Sequence, residues 1–323
     1  MRYVTAFVLL FAAFRLPAQN PKGVVRMDEE FYRVFTSGKL PEVISKGHTW
    51  TEGPLWIAGR LLFSDAPSNT VYQWTEAGGT SVYLRPSGFT GEKSASREPG
   101  SNGLLADLQG NLVLCQHGDR RMARMDAPVS HPESRFITLA DRYKNQRFSS
   151  PNDAVMNSAG EIFFTDPPYG LPSQSDADPG KEIPFNGVYK IKTNGEVILL
   201  VDSLTRPNGI ALFPDEKRIL IANSDPAKPH WYLYDIDGDR LKNGRLFYTP
   251  AEKLPGGPDG LKIDRRGIVY SSGPGGIFIF NADGKLLGNL WLDEPVSNCA
   301  LSEDQKTLYI TNNTRVWRWK MRN

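Results

Sequence analysis

PNDAVMNSAGEIFFTDP, residues 151–167, decides the architecture, because its grammar returns five more times along the chain. A small residue or Pro leads and an acidic or amide residue follows. Then come an apolar stretch, a turn carrying Gly, Asp or Asn, and a strand ending in small polar residues. The other copies are TEGPLWIAGRLLFSDAP from Thr51, SNGLLADLQGNLVLCQH from Ser101, PNGIALFPDEKRILIANS from Pro207, PDGLKIDRRGIVYSSGP from Pro258 and SNCALSEDQKTLYITNN from Ser297. Each copy sets two β-rich runs on either side of a turn, which is the signature of a hairpin. One or two further strand-like runs follow each copy, such as NGVYKIK and EVILLVD. The second residue of the grammar falls at Glu52, Asn102, Asn152, Asn208, Asp259 and Asn298, in steps of 50, 50, 56, 51 and 39.

Four-stranded units recurring every ~40–50 residues predict an all-β fold, a β-propeller. The length admits six blades. The last copy supplies only three strands, ending in TRVWRWK, while residues 34–44 hold a spare one. An N-terminal strand is therefore expected to complete the sixth blade and close the ring. A pair of β-sandwich domains is the rival, but sandwiches require no fixed period.

Composition agrees with turn-rich β structure: 30 Gly and 24 Pro disfavour a helix bundle, and 40% hydrophobic residues exclude a disordered chain. Lys plus Arg number 38 against 36 Asp plus Glu, with no block of one sign, so no nucleic-acid partner is expected. Cys115 and Cys299 match no metal-binding spacing and make no disulfide framework. Arg2, the apolar run 3–14 and the small-residue exit around Leu16, Pro17 and Ala18 predict a signal peptide over residues 1–18. That leaves residues 19–323 as one propeller domain, exported to the periplasm or outside the cell and with no membrane segment of its own. Its oligomeric state is open.

In a propeller the first strand of every blade lines the axis, so the six grammar positions form a ring. They carry two carboxylates and four amides, and hard cations take six to eight oxygen ligands of these kinds. Glu52, Asn152, Asn208 and Asp259 are the expected ligands of a divalent cation, Ca2+ first, with Mg2+, Mn2+ or Zn2+ open. Asn102 and Asn298 are second-rank ligands or substrate contacts. Turn chemistry repeated by duplication would favour Asn, Asp and Gly as well, but it does not account for Glu52. The second strand of each hairpin runs back toward the same face, which places Asp65, Gln116, His117, Asp166, Tyr169, Asn223, Ser224, Gly273, Asn312 and Asn313 at the rim of the mouth. Of these, His117 and Tyr169 are the expected substrate contacts.

Other chemistries lack their motifs: there is no G-x-S-x-G elbow, HExxH, P-loop or GxGxxG. YDIDGDRLKNG, with Asp235, Asp237 and Asp239 at alternate positions, begins like an EF-hand loop. Its sixth position is Arg240 and its twelfth Leu246, so it reads as a hairpin turn on an outer blade edge.

The segments HTWTEGPLW, LLFSDAPSNTVYQW, REPGSNGL, LCQHGDRRMARMD, SSPNDAVMNSAGEIFFTDPPYGL, RPNGIALFPDE and GGPDGLKID together resemble the SMP-30/gluconolactonase family of six-bladed propellers, in its gluconolactonase branch. The resemblance implies an axial divalent cation held by the Glu of EGP, the Asn of PND, the Asn of PNG and the Asp of PDG, the same four residues. It also implies hydrolysis of a sugar lactone such as glucono-1,5-lactone. Asp259 is then the expected base for the attacking water and Asp166 the substitute, since a carboxylate committed to a cation loses basicity. The loop 88–100, with Arg97 and Glu98, is a candidate lid. Phe89, Tyr169, Trp56 and Trp231 are candidates for an apolar flank. Animal members place an Arg two residues before the PND-type Asn, and here that position is Ser150. The sugar is therefore left open, and a non-catalytic, exported, calcium-binding propeller that recognises a glycan, metabolite or partner is the alternative.

Overall fold

Each copy of the grammar folds as an antiparallel hairpin, and all but the first have a turn closed by side chain as well as backbone. In the copies that start at Ser101, Pro151 and Pro258 the Asp or Asn that opens the turn (Asp107, Asn157, Asp264) accepts amides further round it, while Gly110, Gly160 and Gly267 take the positive φ that the turn demands. The computed structural model describes residues 23–322 except Met27, Ser37 and Glu252. The predicted signal peptide, residues 1–18, lies outside the described residues.

The described residues form six antiparallel sheets in a ring, a β-propeller. Blades I to IV span residues 51–84, 101–140, 154–201 and 207–248, each with four strands in sequential order. Blade V spans 261–291 and blade VI 296–320. The innermost strand of each blade neighbours that of the next, and Val296–Leu301 of blade VI meets Thr51–Ile57 of blade I, so the ring closes. Extra connections include a small hairpin, Arg142–Tyr143 with Gln146–Arg147. No helix among the described residues is long and apolar enough to cross a membrane.

Closure follows the sequence expectation, with two differences. The outer strand of blade VI is Glu42–Lys46, paired antiparallel with Arg315–Lys320. It begins after Pro41, which has no N–H to give a sheet. The earlier part of the 34–44 run is not strand: Phe31–Val34 is a short helix whose Phe31 and Val34 are buried between blades V and VI, and Phe35 stacks on Trp319 at 4.1 Å. Blade V also gains a fifth strand, Gly23–Arg26, on Leu286–Trp291.

The core is divided among the seams between blades. Among the described residues six apolar clusters are present, and each joins two adjacent blades around the ring. Alternation sends one face of every strand into each seam, which is why blades stack without a common centre and leave the axis to polar residues. Trp231 is fully buried between blades IV and V with Nε1 donating to Ser271, and Trp56 stacks on Tyr309 across the seam of blades VI and I. Neither forms an apolar flank to the mouth. Asp235 pairs with Arg245, Asp237 with Lys242, and Asp239 with Lys190 and Lys192, on the outer hairpin of blade IV.

Candidate active site

In four blades the grammar residue sits at a bulge in the first strand, and in blades III and V Asn152 and Asp259 lie just before that strand. Register shifts fall between Glu52 and Leu55, Ser101 and Leu104, Pro207 and Ile210, and Val296 and Asn298. A bulge re-aims a side chain, here toward the axis. The glycine after it serves the ring rather than a turn: a Cβ on Gly53 would lie 1.9 Å from Asn102 O, on Gly103 2.6 Å from Asn152 O, on Gly209 2.1 Å from Asp259 O, and on Gly260 1.8 Å from Asn298 Cγ. In these four blades the close approach to the next is possible only because that carbon is missing; blades III and VI carry Asp153 and Cys299 at the same place. Turn chemistry thus fails as the explanation of the repeated Asn-Gly.

A cavity of about 260 Å³ opens at this mouth, lined by Trp50, Glu52, Glu98, Asn102, Asn152, Tyr169, Gln174, Asn208, Ser224 and Asp259. All four expected cation ligands are in it, with Asn102 and Tyr169. Asn208 Nδ2 donates to Ser224 Oγ at 2.9 Å, and Asn152 Nδ2 lies 3.4 Å from His117 Nε2, so each carboxamide has its nitrogen engaged. Glu52 Oε2 accepts from Gly53 N, and Trp50 hydrogen-bonds the same carboxylate. Asp259 Oδ1 and Asn102 Oδ1 are buried with no hydrogen-bond partner.

Burial, foremost, and then neighbouring negative charge hold both Glu52 and Asp259 above the usual carboxylate range. No Lys or Arg lines the cavity to relieve this. Two crowded acids, carboxamide oxygens and an orphaned carboxylate oxygen fit a hard divalent cation, which restores the ionised form of its ligands. Among the described residues no group of three or more His, Cys, Asp or Glu stands at metal-holding spacing, so a soft His/Cys site is not what this donor set offers.

Several expected contacts have other uses. Asp166 is fully buried, is not among the lining residues, and accepts from Ser149 N at 2.9 Å and Ser150 N at 2.7 Å; burial lifts it to about 6, against these two bonds. The same register does the same work elsewhere. Asp65 accepts from Thr49 N and Trp50 N, Asn223 from Arg206 N, and Gln116 and Asn312 donate to Ser87 O and to Glu294 O and Pro295 O. These strand-end residues staple the incoming connection and do not wall the pocket; of the expected rim, only Tyr169 and Ser224 line it. His117 is wholly buried behind Asn152 and Glu98, and burial takes it down to about 3, a neutral ring. Asn298 lies beneath Gly260, its Oδ1 accepting from Cys299 N and Lys262 Nζ and its Nδ2 donating to Asp153 Oδ2. Asp153, Asn298 and Lys262 form a polar plug away from the lining.

The sequence reading had no signal for Trp50 and Gln174, which belong to connections outside the repeat. Glu98 was visible as part of a lid but not as a lining carboxylate. Phe89, the other proposed flank residue, packs against Gly118 at the base of that loop.

A six-bladed propeller with a carboxylate and carboxamide ring at one axial mouth defines a class of axial-site enzymes. The chain belongs to the SMP-30/Gluconolactonase/LRE-like family, whose pattern matches residues 50–314. It is 39% identical over 289 residues to a gluconolactonase of Zymomonas mobilis, covering 86% of this chain and 80% of that one. It is 25% identical over 268 residues to a pentonolactonase of Haloferax volcanii, covering 80% of each. A solved gluconolactonase structure from Xanthomonas campestris superposes with a TM-score of 0.82 at 29% identity, covering 95% of this chain and 98% of that one. The chain is accordingly a hydrolase acting on ester bonds.

Proposed function

We propose that this chain is a divalent-cation-dependent lactonase that opens a small, hydroxylated sugar lactone such as glucono-1,5-lactone to the aldonic acid. The observation that carries the reading is the juxtaposition, in a cavity of about 260 Å³, of Glu52, Asn152, Asn208 and Asp259, drawn from four different blades. Its relatives are lactone hydrolases, which favours an enzyme over a non-catalytic binder.

Glu52, Asn152, Asn208 and Asp259 would hold the cation, Ca2+ by the character of the donors. Bound there, it supplies Lewis-acid polarisation of an ester carbonyl and stabilisation of the oxyanion. Asn102, with its free carboxamide oxygen, and the Tyr169 hydroxyl would hold ring hydroxyls, since both residues line the cavity. Trp50 offers an apolar face to the carbon skeleton. His117, neutral and buried, orients the Asn152 carboxamide from behind. The cavity's size suits a single ring better than a long acyl chain. Export directed by residues 1–18 belongs to the same proposal; an N-terminal sequence of the secreted fraction that still contains them would count against it.

Acid release from D-glucono-1,5-lactone above the spontaneous rate, with and without Ca2+, tests the function. Turnover that chelation removes, and that Glu52→Ala and Asp259→Ala abolish while the fold is retained, is the expected result. Tight cation binding without turnover on sugar, aryl and acyl lactones would refute it.

A further inference from the structure

Resting on the lactonase reading, we propose that Glu98, carried by the connection between blades I and II, is the general base that activates the attacking water and then the acid that protonates the departing ring oxygen. Asp259 is thereby left to the cation.

Three carboxylates line the cavity, Glu52, Asp259 and Glu98. The first two belong to the ring and are spoken for by the cation they would share. Asp166, the sequence's substitute base, spends its carboxylate on two backbone amides outside the lining. Glu98 is the remaining acid, and its position is built. Oε1 accepts from Gln174 Nε2 at 3.1 Å, and Gln174 is itself held by the Tyr169 carbonyl. Oε2 lies 3.7 Å from His117 Nδ1, a buried ring nitrogen without a hydrogen-bond partner. The side chain keeps 20% exposure, so water can reach it.

The loop that carries Glu98 is anchored at its neck. Asn69 Oδ1 accepts from the amides of Ser87, Gly88 and Phe89, and Asn69 Nδ2 donates to Phe89 O. Gly100 N donates to Ala66 O, and Ser101 N to Ser87 Oγ. The two ends touch: a Cβ on Gly88 would fall 2.0 Å from Gly100 C. Thr90 ties the far side to Asp119. Glu98 stands two residues from this neck, on a loop arranged as a fixed lid, and a group so held keeps the geometry proton transfer requires.

Burial lifts the Glu98 carboxyl to about 7, against the Gln174 bond, with Glu52, Asp259, Tyr169 and His117 the titratable groups around it. The step balances. A water O–H breaks as the new C–O bond forms at the lactone carbonyl carbon, and the proton passes to Glu98. The ring acyl C–O bond then breaks, and that proton goes to the ring oxygen, giving the hydroxy acid and regenerating the carboxylate.

The test uses the full chain in Ca2+ with D-glucono-1,5-lactone. Glu98→Gln is expected to lower kcat by about 10²–10⁴-fold while KM stays within about threefold. Calcium should still bind by calorimetry, and the melting temperature should not fall, since the variant removes one of the buried negative charges that crowd Glu52 and Asp259. Glu98→Ala should regain at least about tenfold in formate, a small carboxylate entering the vacated space, which a merely structural loss would not do. If Glu98→Ala fails to fold, the isosteric Glu98→Gln carries the test alone. Wild-type turnover with Glu98→Gln within about threefold of it overturns the base assignment and leaves the lactonase reading intact. A loss that appears in KM or calcium affinity, with no rescue by formate, also overturns it. A wild type inert toward every lactone overturns both.

Discussion

Replacing Glu52 by Gln should make the cation-free protein more stable and the working protein useless. Glu52 is 3% exposed, and burial together with neighbouring negative charge lifts it from 4.5 to about 8. An acid whose folded pKa is raised contributes its full stability below its unfolded pKa and loses it as pH rises through the folded value. At about 1.4 kcal/mol for each tenfold, the cost of ionising Glu52 is about 2 kcal/mol at pH 6 and on the order of 5 kcal/mol at pH 9. For a chain of this length 1 kcal/mol moves Tm by roughly 1.6 °C, from an unfolding entropy of about 2.1 cal/mol/K per residue. Glu52→Gln in a chelator should therefore melt about 3 °C above the wild type at pH 6 and about 8 °C above it at pH 9. Calcium at 100 times its Kd adds about 2.7 kcal/mol to the wild type, roughly 4 °C, and should add nothing to the variant. Scanning calorimetry across pH 6–9, with chelator and with calcium, reads all of this. A variant that melts at or below the wild type throughout, in chelator, would refute the claim that the ring is an electrostatically frustrated site awaiting a cation.

Gly209→Ala forces a carbon to within 2.1 Å of Asp259 O, so blade V must shift; a loss of about 1–3 kcal/mol and at least about tenfold in kcat is expected from melting and steady-state assays. An unchanged kcat would show that the ring tolerates slack. Asp166→Asn keeps an acceptor for only part of the Ser149 and Ser150 pair, so it should cost about 1–3 kcal/mol and less than about tenfold in kcat. Because burial raises Asp166 from 3.8 to about 6, the wild type's lead should be largest below about pH 4 and be lost as pH rises to about 6. A collapse of kcat with the fold intact would return the base to Asp166. Removing the chain through Lys46 strips the outer strand from blade VI and the helix that covers Trp319, and the product should aggregate or melt far below the parent by light scattering and circular dichroism.

The closing strand and the ring were legible in the sequence for a simple reason. A repeat fixes register, and register fixes which residue of each blade reaches the axis; Glu52, Asn102, Asn152, Asn208 and Asp259 meet in one cavity because they occupy the same place in successive hairpins. Local chemistry could not say which side of the strand end Asp166 and Asp65 would face, and packing turned both toward incoming backbone amides that had no other partner. Asn298 occupied the right register but met Gly260 and Asp153 below the mouth.

What the amino-acid order determined, then, was everything that recurs: hairpins, blades, the axial donors and the glycines that let neighbouring blades touch. What only the tertiary structure decided was everything that does not recur, namely Trp50, Glu98 and Gln174, delivered to the cavity by connections of unequal length. A connection has no period to read, and where it lands depends on contacts between residues far apart in the chain, such as Gln174 with Glu98 and Asn69 with the neck of the lid.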